Sequence, residues 1–373
     1  MPLLESQARE EILRSGPISF ARFMSLALYC PVFGYYETHD RTIGRSGDFF
    51  TSVSVGDVFG QILGCRFATW LKSIQPGETH LVECGAHDGR LAGDILAWLR
   101  KHEPALFASL TYWIVEPSPV REQRQQNQLA EYAPRVRWVE ALQNLPRLRG
   151  VLFSNELLDA FPVHVIRWHS DSGRWRERGV DWSPIENRFV WVDLPEPRIH
   201  IETELARAGL LIPSELAQVL PNGFTVELCP EALDWWAAAA GTLDVGWMIA
   251  CDYGLTSAEL LRPERTRGTL RAYRDHRVID DVLAEPGTQD LTAHVNFSAV
   301  ASSGEAQGLV TEDLARQGEC LARWVTEALS RGVFADWTPA QRRQFQTLVH
   351  PSHLGHAFRI LIQSKGVAGA AVV

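Results

Sequence analysis

The chain has 373 residues, of which 46% are hydrophobic and 22% charged, as in a folded protein with a large core. Its 45 acidic residues outnumber its 36 basic ones, so the net charge at pH 7 is −9. This balance argues against a protein that binds nucleic acid through its overall charge, and it favours a basic partner. The six cysteines form no C-x-x-C pair, which argues against a disulfide scaffold or a zinc knuckle.

The N-terminal segment, residues 1–17, carries acidic residues early and has no continuous apolar run. These features are not typical of a secretory signal or of a transit peptide. No stretch of the sequence approaches the length of a membrane span. We therefore expect a cytoplasmic protein.

The first 75 residues are mainly helical in pattern. Helices are predicted over 3–14, from Ser19 to Leu28, and from about Val55 to Ile74, and each stops at Gly or Pro. The segment from Gly34 to Ser52 is rich in Gly, Asp and Thr and is predicted to be an ordered loop.

From residue 76 onward, short apolar runs alternate with amphipathic segments. This alternation predicts an α/β fold with a doubly wound parallel sheet. Residues 164–224 break the rhythm with alternating polarity, four tryptophans and several prolines, and are predicted to form an inserted β-rich lobe. The predicted strands of the core are 80–84, 111–116, 136–139, 150–154, 246–251 and 358–362.

The first strand runs into a loop that contains Gly85 and Gly89, with His87 between them. Their spacing is that of the outer glycines of G-x-G-x-G, which is typical of S-adenosylmethionine enzymes, whereas dinucleotide enzymes carry G-x-G-x-x-G. Glu83, two residues before Gly85, is placed to meet the ammonium group of that cofactor. A tight turn without a ligand remains the alternative for this loop.

Two acidic residues follow the next strands. Glu116 ends the second strand, where a carboxylate can accept both hydroxyls of a nucleoside ribose. That ribose occurs in NAD and in S-adenosylmethionine, so Glu116 does not separate them, and a solvated acid is the alternative. Glu140, after the third strand, is a weaker candidate for an adenine contact.

Asn155, Glu156 and Asp159 follow the fourth strand, at the sheet edge where α/β enzymes bind ligands. The carbonyl of Asn155 is an acceptor, and the two carboxylates can hold a guanidinium or ammonium group and remove its proton. The alternative is a helix N-terminus whose acids interact with the helix dipole.

Other chemistries have weaker support. His350, His353 and His356 follow one another at three-residue steps, but no Cys or acid lies near them in sequence to complete a metal site. The G-x-S-x-G motif of a serine hydrolase is missing. The 13 tryptophans are better explained by packing than by base stacking.

Taken together, the motifs resemble the MidA family of S-adenosylmethionine-dependent methyltransferases, whose mitochondrial members are assembly factors of respiratory complex I and act as protein arginine methyltransferases. The matching blocks are short and run in order over nearly the whole chain: Ile18–Phe20, Phe23-Met24, Leu28-Tyr29, Pro31, Gly34–Tyr36, Gly47–Phe49, Thr51-Ser52, Phe59-Gly60, Glu83–Gly85, Asp94–Leu96, Val115–Pro119, Asn155–Val163, Asp252–Gly254, Gly268–Arg271, Tyr273, His276, Asp290–Val295, Pro351, Gly355 and Phe358.

The resemblance implies a class I methyltransferase, Rossmann-like sheet with an N-terminal helical extension. It implies domains at 1–75, with a lid loop, and at 76–373, with the inserted lobe at about 164–224. Its implied cofactor is S-adenosyl-L-methionine, and its implied partner is a protein substrate, such as a respiratory complex subunit. Its implied site residues are Glu83, Gly85, Gly89 and Glu116 for the cofactor, with Asn155, Glu156, Asp159 and Asp48 toward the acceptor.

One position departs from the family pattern E-x-G-P-G-x-G. His87 stands where the middle glycine is usual, and Ala86 where proline is usual. The loop can still bind the cofactor, His87 can add a contact, or affinity can be lost. The main hypothesis is a methyltransferase acting on a protein side chain, arginine by resemblance. The alternatives are a non-catalytic assembly protein and, from fold class alone, a nicotinamide-dependent oxidoreductase.

Overall fold

A computed structural model describes residues 3–38, 51–274 and 277–367. Its α-helices, in chain order, are α1 (Leu3–Ser15), α2 (Phe20–Tyr29), α3 (Tyr35–Thr38), α4 (Val58–Ser73), α5 (Arg90–His102), α6 (Pro104–Ser109), α7 (Pro119–Gln128), α8 (Ile201–Arg207), α9 (Ser214–Ala217), α10 (Pro230–Thr242), α11 (Ser257–Leu260), α12 (Phe297–Glu305), α13 (Gln317–Ser330), α14 (Pro339–Val349) and α15 (Leu354–Ala357).

The strands are β1 (Ile18–Ser19), β2 (His80–Cys84), β3 (Thr111–Val115), β4 (Val136–Val139), β5 (Leu148–Asn155), β6 (His164–His169), β7 (Arg174–Ser183), β8 (Arg188–Asp193), β9 (Thr225–Leu228), β10 (Leu243–Leu255), β11 (Arg271–Arg274), β12 (Arg277–Ile279), β13 (Asp290–Thr292), β14 (Val295–Asn296), β15 (Val310–Arg316) and β16 (Phe358–Lys365).

The chain divides into two compact units, each built from several segments. Unit 1 comprises Met1–Phe49, Asp159–Asp234 and Leu255–Val300, and unit 2 comprises Phe50–Leu158, Trp235–Gly254 and Ala301–Val373. The N-terminal helices and the β-rich lobe thus share unit 1. The domain limits of 1–75 and 76–373 stay a prediction.

Unit 2 contains the sheet that the alternating pattern predicted. Its strand order is β15-β16-β10-β5-β2-β3-β4. Neighbours from β10 to β4 are parallel, whereas β16 is antiparallel to both β10 and β15. The chain winds outward from β2 through β3 to β4, and then from β5 to β10 on the other side. The sheet therefore changes winding direction between β2 and β5, where doubly wound folds bind ligands beyond the strands' carboxyl ends.

The core of unit 2 explains why these segments fold as they do. Every residue of β2 is buried, as expected for a central strand with both faces covered. Helices α4 and α5 pack closely because Gly60 has no side chain; a Cβ there would lie 2.4 Å from the Cβ of Asp94. The largest aromatic rings of this core include Phe67 and Phe153, whose centroids are 5.0 Å apart.

Unit 1 is built on a second sheet, in the order β1-β7-β6-β9, with β8 beside β7. Ser19 caps α2 by accepting the N–H of Arg22. The apolar side of α2 then packs with strand residues such as Val180 and Phe189 in one core. The ring of Phe20 stacks on Trp191 at 4.9 Å. The smaller sheet β12-β11-β13 also lies in this unit.

The predicted elements and the structure differ at a few positions. The segment predicted as a β-rich lobe contains β6, β7 and β8, but also the helices α8 and α9. Strand β15 was not predicted, because its sequence VTEDLAR is polar and only half-buried. It forms because β16 offers an antiparallel edge, pairing Val310 with Ser364 and Arg316 with Arg359. Among the described residues, no helix combines the length and apolar character needed to cross a bilayer.

Candidate cofactor and acceptor site

The loop after β2 adopts the sharp backbone turns that its glycines predicted. Gly85 and Gly89 have φ angles of 75° and 82°, and His87 lies between them at 47°. A Cβ on Gly85 would lie 2.9 Å from the Cδ1 of Leu157, so this position requires glycine for two reasons. His87 takes up the left-handed conformation without glycine, and its imidazole lies 3.7 Å from the Asp88 carboxylate. The loop thus keeps a glycine-type path although its middle glycine is replaced.

Glu83, on β2, is a buried carboxyl group with 2% exposure. Its Oε2 accepts a 2.7 Å hydrogen bond from the phenol of Tyr112 on β3. Burial raises the pKa of Glu83 to about 7, and the nearby charges of Asp88 and Asp94 add to this effect, while the Tyr112 bond opposes it. A cation arriving beside this carboxyl would therefore meet a group that is close to its titration point at neutral pH.

Glu116, at the end of β3, is likewise buried and is held by its neighbours. Its Oε1 accepts 2.9 Å hydrogen bonds from the Ser118 backbone N–H and the Arg121 Nε, and its Oε2 accepts one from Gln125 Nε2 at 2.9 Å. A carboxylate has about four lone-pair positions, so Oε2 retains capacity for a further donor. Glu140, by contrast, is exposed.

Gln125, on α7, connects these parts of the site and was not identified from the sequence. The side chain is fully buried, and its Nε2 also donates to the backbone carbonyl of His87 at 3.0 Å. Its Oε1 accepts from Trp138 Nε1 at 3.0 Å. One amide thus ties the glycine loop to Glu116. The sequence shows Gln125 only as one of several glutamines in a polar helix. That pattern does not distinguish a buried glutamine from an exposed one.

Asn155 is the last residue of β5, one residue beyond the predicted strand end, and Glu156 follows it directly. Asn155 Nδ2 donates to Glu156 Oε1 at 3.0 Å, and Glu156 has a left-handed φ of 52° while its N–H bonds to Cys251 O at 2.9 Å. With the amide oriented as in this structure, the buried Asn155 Oδ1 has no hydrogen-bond partner within the described part of the chain. A buried acceptor of this kind costs free energy unless a ligand N–H or O–H satisfies it.

Asp252, near the carboxyl end of β10, fixes this loop through hydrogen bonds to its backbone. Its carboxylate Oδ2 accepts the backbone N–H of Leu157 at 3.1 Å and of Leu158 at 2.8 Å, and its Oδ1 accepts the N–H of Tyr253 at 2.8 Å. The side chain is fully buried. The sequence places Asp252 in a block that resembles the family, but nothing in its own sequence context predicts this role.

Asp159 belongs to unit 1, where its charge acts on the phenols of Tyr36 and Tyr273. It is 6% exposed, and its backbone carbonyl accepts the N–H of Ala293 at 3.0 Å. Burial first, and then the charges of Asp290 and Asp159, raise the pKa of Tyr36, whose hydroxyl donates to Asp290 Oδ1 at 2.9 Å. Asp48 lies outside the described residues.

The residues of unit 2 fit an S-adenosyl-L-methionine molecule. The glycine loop leaves backbone without side chains at Gly85 and Gly89, Glu83 offers a carboxyl to an ammonium group, and Oε2 of Glu116 can accept from a hydroxyl. The Oδ1 of Asn155, which has no partner among the residues that the structure describes, adds a buried acceptor on the neighbouring strand end. Bound there, the cofactor would supply an electrophilic methyl group on a sulfonium.

Comparisons with known proteins agree with this chemistry. Residues 62–314 match the family described as "Putative S-adenosyl-L-methionine-dependent methyltransferase". The crystal structure of a Burkholderia thailandensis protein bound to S-adenosyl-homocysteine is 31% identical, covers 99% of this chain and 93% of that one, and superimposes with a TM-score of 0.84. The chain is also similar to "Protein arginine methyltransferase NDUFAF7 homolog, mitochondrial" of Drosophila melanogaster (29% identity, 98% of this chain, 86% of the relative) and to its Danio rerio counterpart (28%, 94% and 84%).

The expected cytoplasmic location is wrong by these comparisons. The fly, zebrafish and human relatives are all named mitochondrial proteins. The physical reason for the error is that a folded core has the same composition in either compartment. Targeting signals are recognised by receptors, and the composition of a folded core does not reveal them.

The class I methyltransferase fold, the resemblance to the MidA family and the cofactor are confirmed by these findings, and the oxidoreductase and scaffold alternatives are not supported. The chain belongs to the family of S-adenosyl-L-methionine-dependent methyltransferases that includes these relatives.

Proposed function

We propose that this methyltransferase transfers its methyl group to an arginine side chain of a partner protein. The observation that carries the proposal is the alignment with relatives named protein arginine methyltransferases, which extends over 98% of the chain for the fly protein. By its resemblance to the MidA family, we propose a respiratory complex subunit as the acceptor. The net charge of −9 suits a substrate that presents a basic side chain.

On the cofactor side, we assign Glu83, Gly85, His87, Gly89 and Glu116. Glu83 pairs with the ammonium group, and Oε2 of Glu116 accepts from the ribose while Oε1 stays with Arg121. The backbone at the three loop residues approaches the ligand closely because all three have left-handed φ angles. The charge and backbone geometry of unit 2 support these proposed roles.

On the acceptor side, we assign Asn155, Glu156, Asp159 and Asp48. A carboxylate can hold a guanidinium through paired hydrogen bonds and can take the proton that the attacking nitrogen loses. Asp159 suits this task because it is buried among phenols, where charge pairing is strong. With the cofactor bound, the nitrogen lone pair would receive the methyl group from the sulfonium, whose bonding electrons would stay on sulfur, and the carboxylate would take the released proton.

The test uses purified protein, methyl-labelled cofactor and a mitochondrial lysate. We expect one or a few labelled protein bands, and amino-acid hydrolysis should give methylarginine. Methyllysine as the labelled product, or label confined to small molecules, would refute the arginine assignment. Asp159→Asn should remove the label, whereas the control Asp244→Asn, at an exposed ion-paired position of β10, should keep it. Thermal unfolding of both variants separates loss of chemistry from loss of fold.

A further inference from the structure

Strand β7 carries arginines on alternate residues, at Arg174, Arg176 and Arg178. Side chains two apart point to the same face of a sheet, so these three guanidinium groups share one face. The opposite residues of β6 extend the group: Arg176 pairs with Arg167, and Arg174 pairs with His169. We call this set (Arg167, His169, Arg174, Arg176 and Arg178) the arginine face.

The same row continues across the next strand. Arg167 is in register with Thr225 of β9, and Thr225 forms a bridge with Arg267. Arg174, Arg176 and Arg267 are exposed, and Arg167 is half-buried. A protein with a net charge of −9 thus concentrates basic side chains on one part of one sheet. Like charges at directly opposed positions destabilise a sheet, so the pairing of Arg167 with Arg176 calls for a functional reason.

Few acids neutralise this face. Asp193 lies 3.4 Å from Arg178 and 3.1 Å from His169, while the carboxylate of Asp171, in the turn between β6 and β7, accepts from Ser172 N–H. In the part of the chain that the structure describes, no carboxylate is paired with Arg167, Arg174, Arg176 or Arg267. Burial and the charge of Arg167 lower the pKa of Arg178, which agrees with crowding of like charges.

The chemistry of the face selects among anionic partners. Guanidinium groups match planar carboxylates through paired hydrogen bonds. Successive arginines on β7 are separated by about 6.8 Å, which is also the spacing of alternate side chains in an extended peptide. Nucleic acid would gain from aromatic rings beside the arginines. However, Trp168 and Trp175 lie on the opposite face, and Arg178 covers Trp191. Among the described residues, no large exposed apolar side chain lies on this face to enter a membrane.

We infer that the arginine face is a docking surface for an extended acidic segment of a protein, with carboxylates on alternate residues lying along β7. Resting on the proposed function, we assign that segment to the acceptor protein, away from the arginine that is methylated. The basic face then holds an acidic part of the substrate while the acidic residues of the enzyme receive its basic side chain.

Binding is measured first, without any methyl transfer. The probe is a fluorescein-labelled peptide of alternating Glu and Gly, added to the full chain in an anisotropy titration. We expect saturable binding that weakens by about tenfold or more in Arg174→Glu/Arg176→Glu, since such variants lose two guanidinium contacts. The control Arg262→Glu/Arg343→Glu has the same net charge and alters exposed arginines elsewhere. An equal loss in the control, or no saturable binding by the wild type, would overturn the inference.

Two further experiments are needed. The first distinguishes between classes of partner, and the second distinguishes failure of this inference from failure of the proposed function. Tighter binding of a single-stranded DNA oligonucleotide, or of phosphatidylserine vesicles, than of the peptide would overturn the assignment to protein. In the lysate assay, the double variant should raise KM for the protein acceptor while the cofactor Kd stays the same. Equal labelling by variant and wild type refutes the docking surface and leaves the proposed function intact. Peptide binding without any labelled arginine supports the surface and refutes the proposed function.

Discussion

The carboxylate of Asp252 accepts the backbone N–H of Leu158 at 2.8 Å. The two residues are 94 positions apart in the chain, and their contact fixes the loop that follows β5. Since the same oxygen also accepts the N–H of Leu157, one fully buried side chain orients two successive peptide groups. Asn155 and Glu156 precede these groups directly, so Asp252 acts as a positioning residue.

Asp252→Asn tests this role. The amide keeps the shape but loses the charge-assisted bonds, so we expect the free energy of unfolding to fall by about 1–3 kcal/mol. We also expect methyl transfer at saturating cofactor to slow, with the cofactor Kd little changed. Denaturant unfolding measures the free energy of unfolding, calorimetry measures the cofactor Kd, and single-turnover kinetics measure the rate of methyl transfer. The control Asp313→Asn removes an exposed ion pair with Arg323 and should cost less than about 1 kcal/mol.

Gly85→Ala tests the loop geometry. The new Cβ would meet Leu157 Cδ1 at 2.9 Å with φ at 75°, so we expect loss of stability of about 1–2 kcal/mol and loss of cofactor binding. Gly93→Ala, in α5, is the matched control, because its Cβ would lie 3.6 Å from Leu129 Cδ2, an ordinary contact. That change should be neutral or stabilising by up to about 1 kcal/mol. Equal behaviour of the two variants would contradict the assigned constraint.

Glu83 predicts a pH dependence of cofactor binding. Burial raises the pKa of this carboxyl from 4.5 to about 7, and a bound ammonium group favours the ionised form. Affinity should therefore increase with pH, by about tenfold per unit below pH 7, and level off above it. Calorimetry at several pH values measures this slope, and Glu83→Gln should give a weak, flat profile. We expect most of the change in affinity between about pH 5.5 and 7. A wild-type affinity that stays constant over this range would contradict the assignment.

The same shift predicts how stability changes in the free protein. A carboxyl with a raised pKa binds more protons in the native state than in the unfolded chain between pH 4.5 and about 7. Its contribution to the free energy of unfolding is therefore fully present below this window and is lost as pH rises through it. Glu83→Gln should remove this decline. Urea unfolding of both proteins across the window, without cofactor, measures it.

His87→Gly tests the departure from the family pattern. The backbone of His87 is already left-handed and its imidazole lies beside Asp88, so replacement should change the cofactor Kd by no more than about threefold. A gain of tenfold or more, about 1.4 kcal/mol, would mean that the imidazole obstructs the site. Calorimetric titration of both proteins decides between these outcomes.

Much of the local geometry of the candidate site could be predicted, because it depends on the nearby backbone and on where strands end. The spacing of Gly85 and Gly89 requires a turn between a buried strand and a helix, and the structure has that turn. The positions of Glu83, Glu116 and Asn155 followed from where their strands end. Gln125 and Asp252 could not be predicted, because their partners lie 38 and 94 residues away in the chain.

The sequence alone determined the alternation of buried strands and amphipathic helices, because periodicity records which face of each element meets the core. It also determined where glycine must allow a left-handed turn. Only the tertiary structure decided that the polar segment 310–316 would become a strand beside β16, and that arginines from β6 and β7 would share one face. These outcomes depend on pairing between distant segments, and such pairing leaves no periodic pattern in either segment by itself.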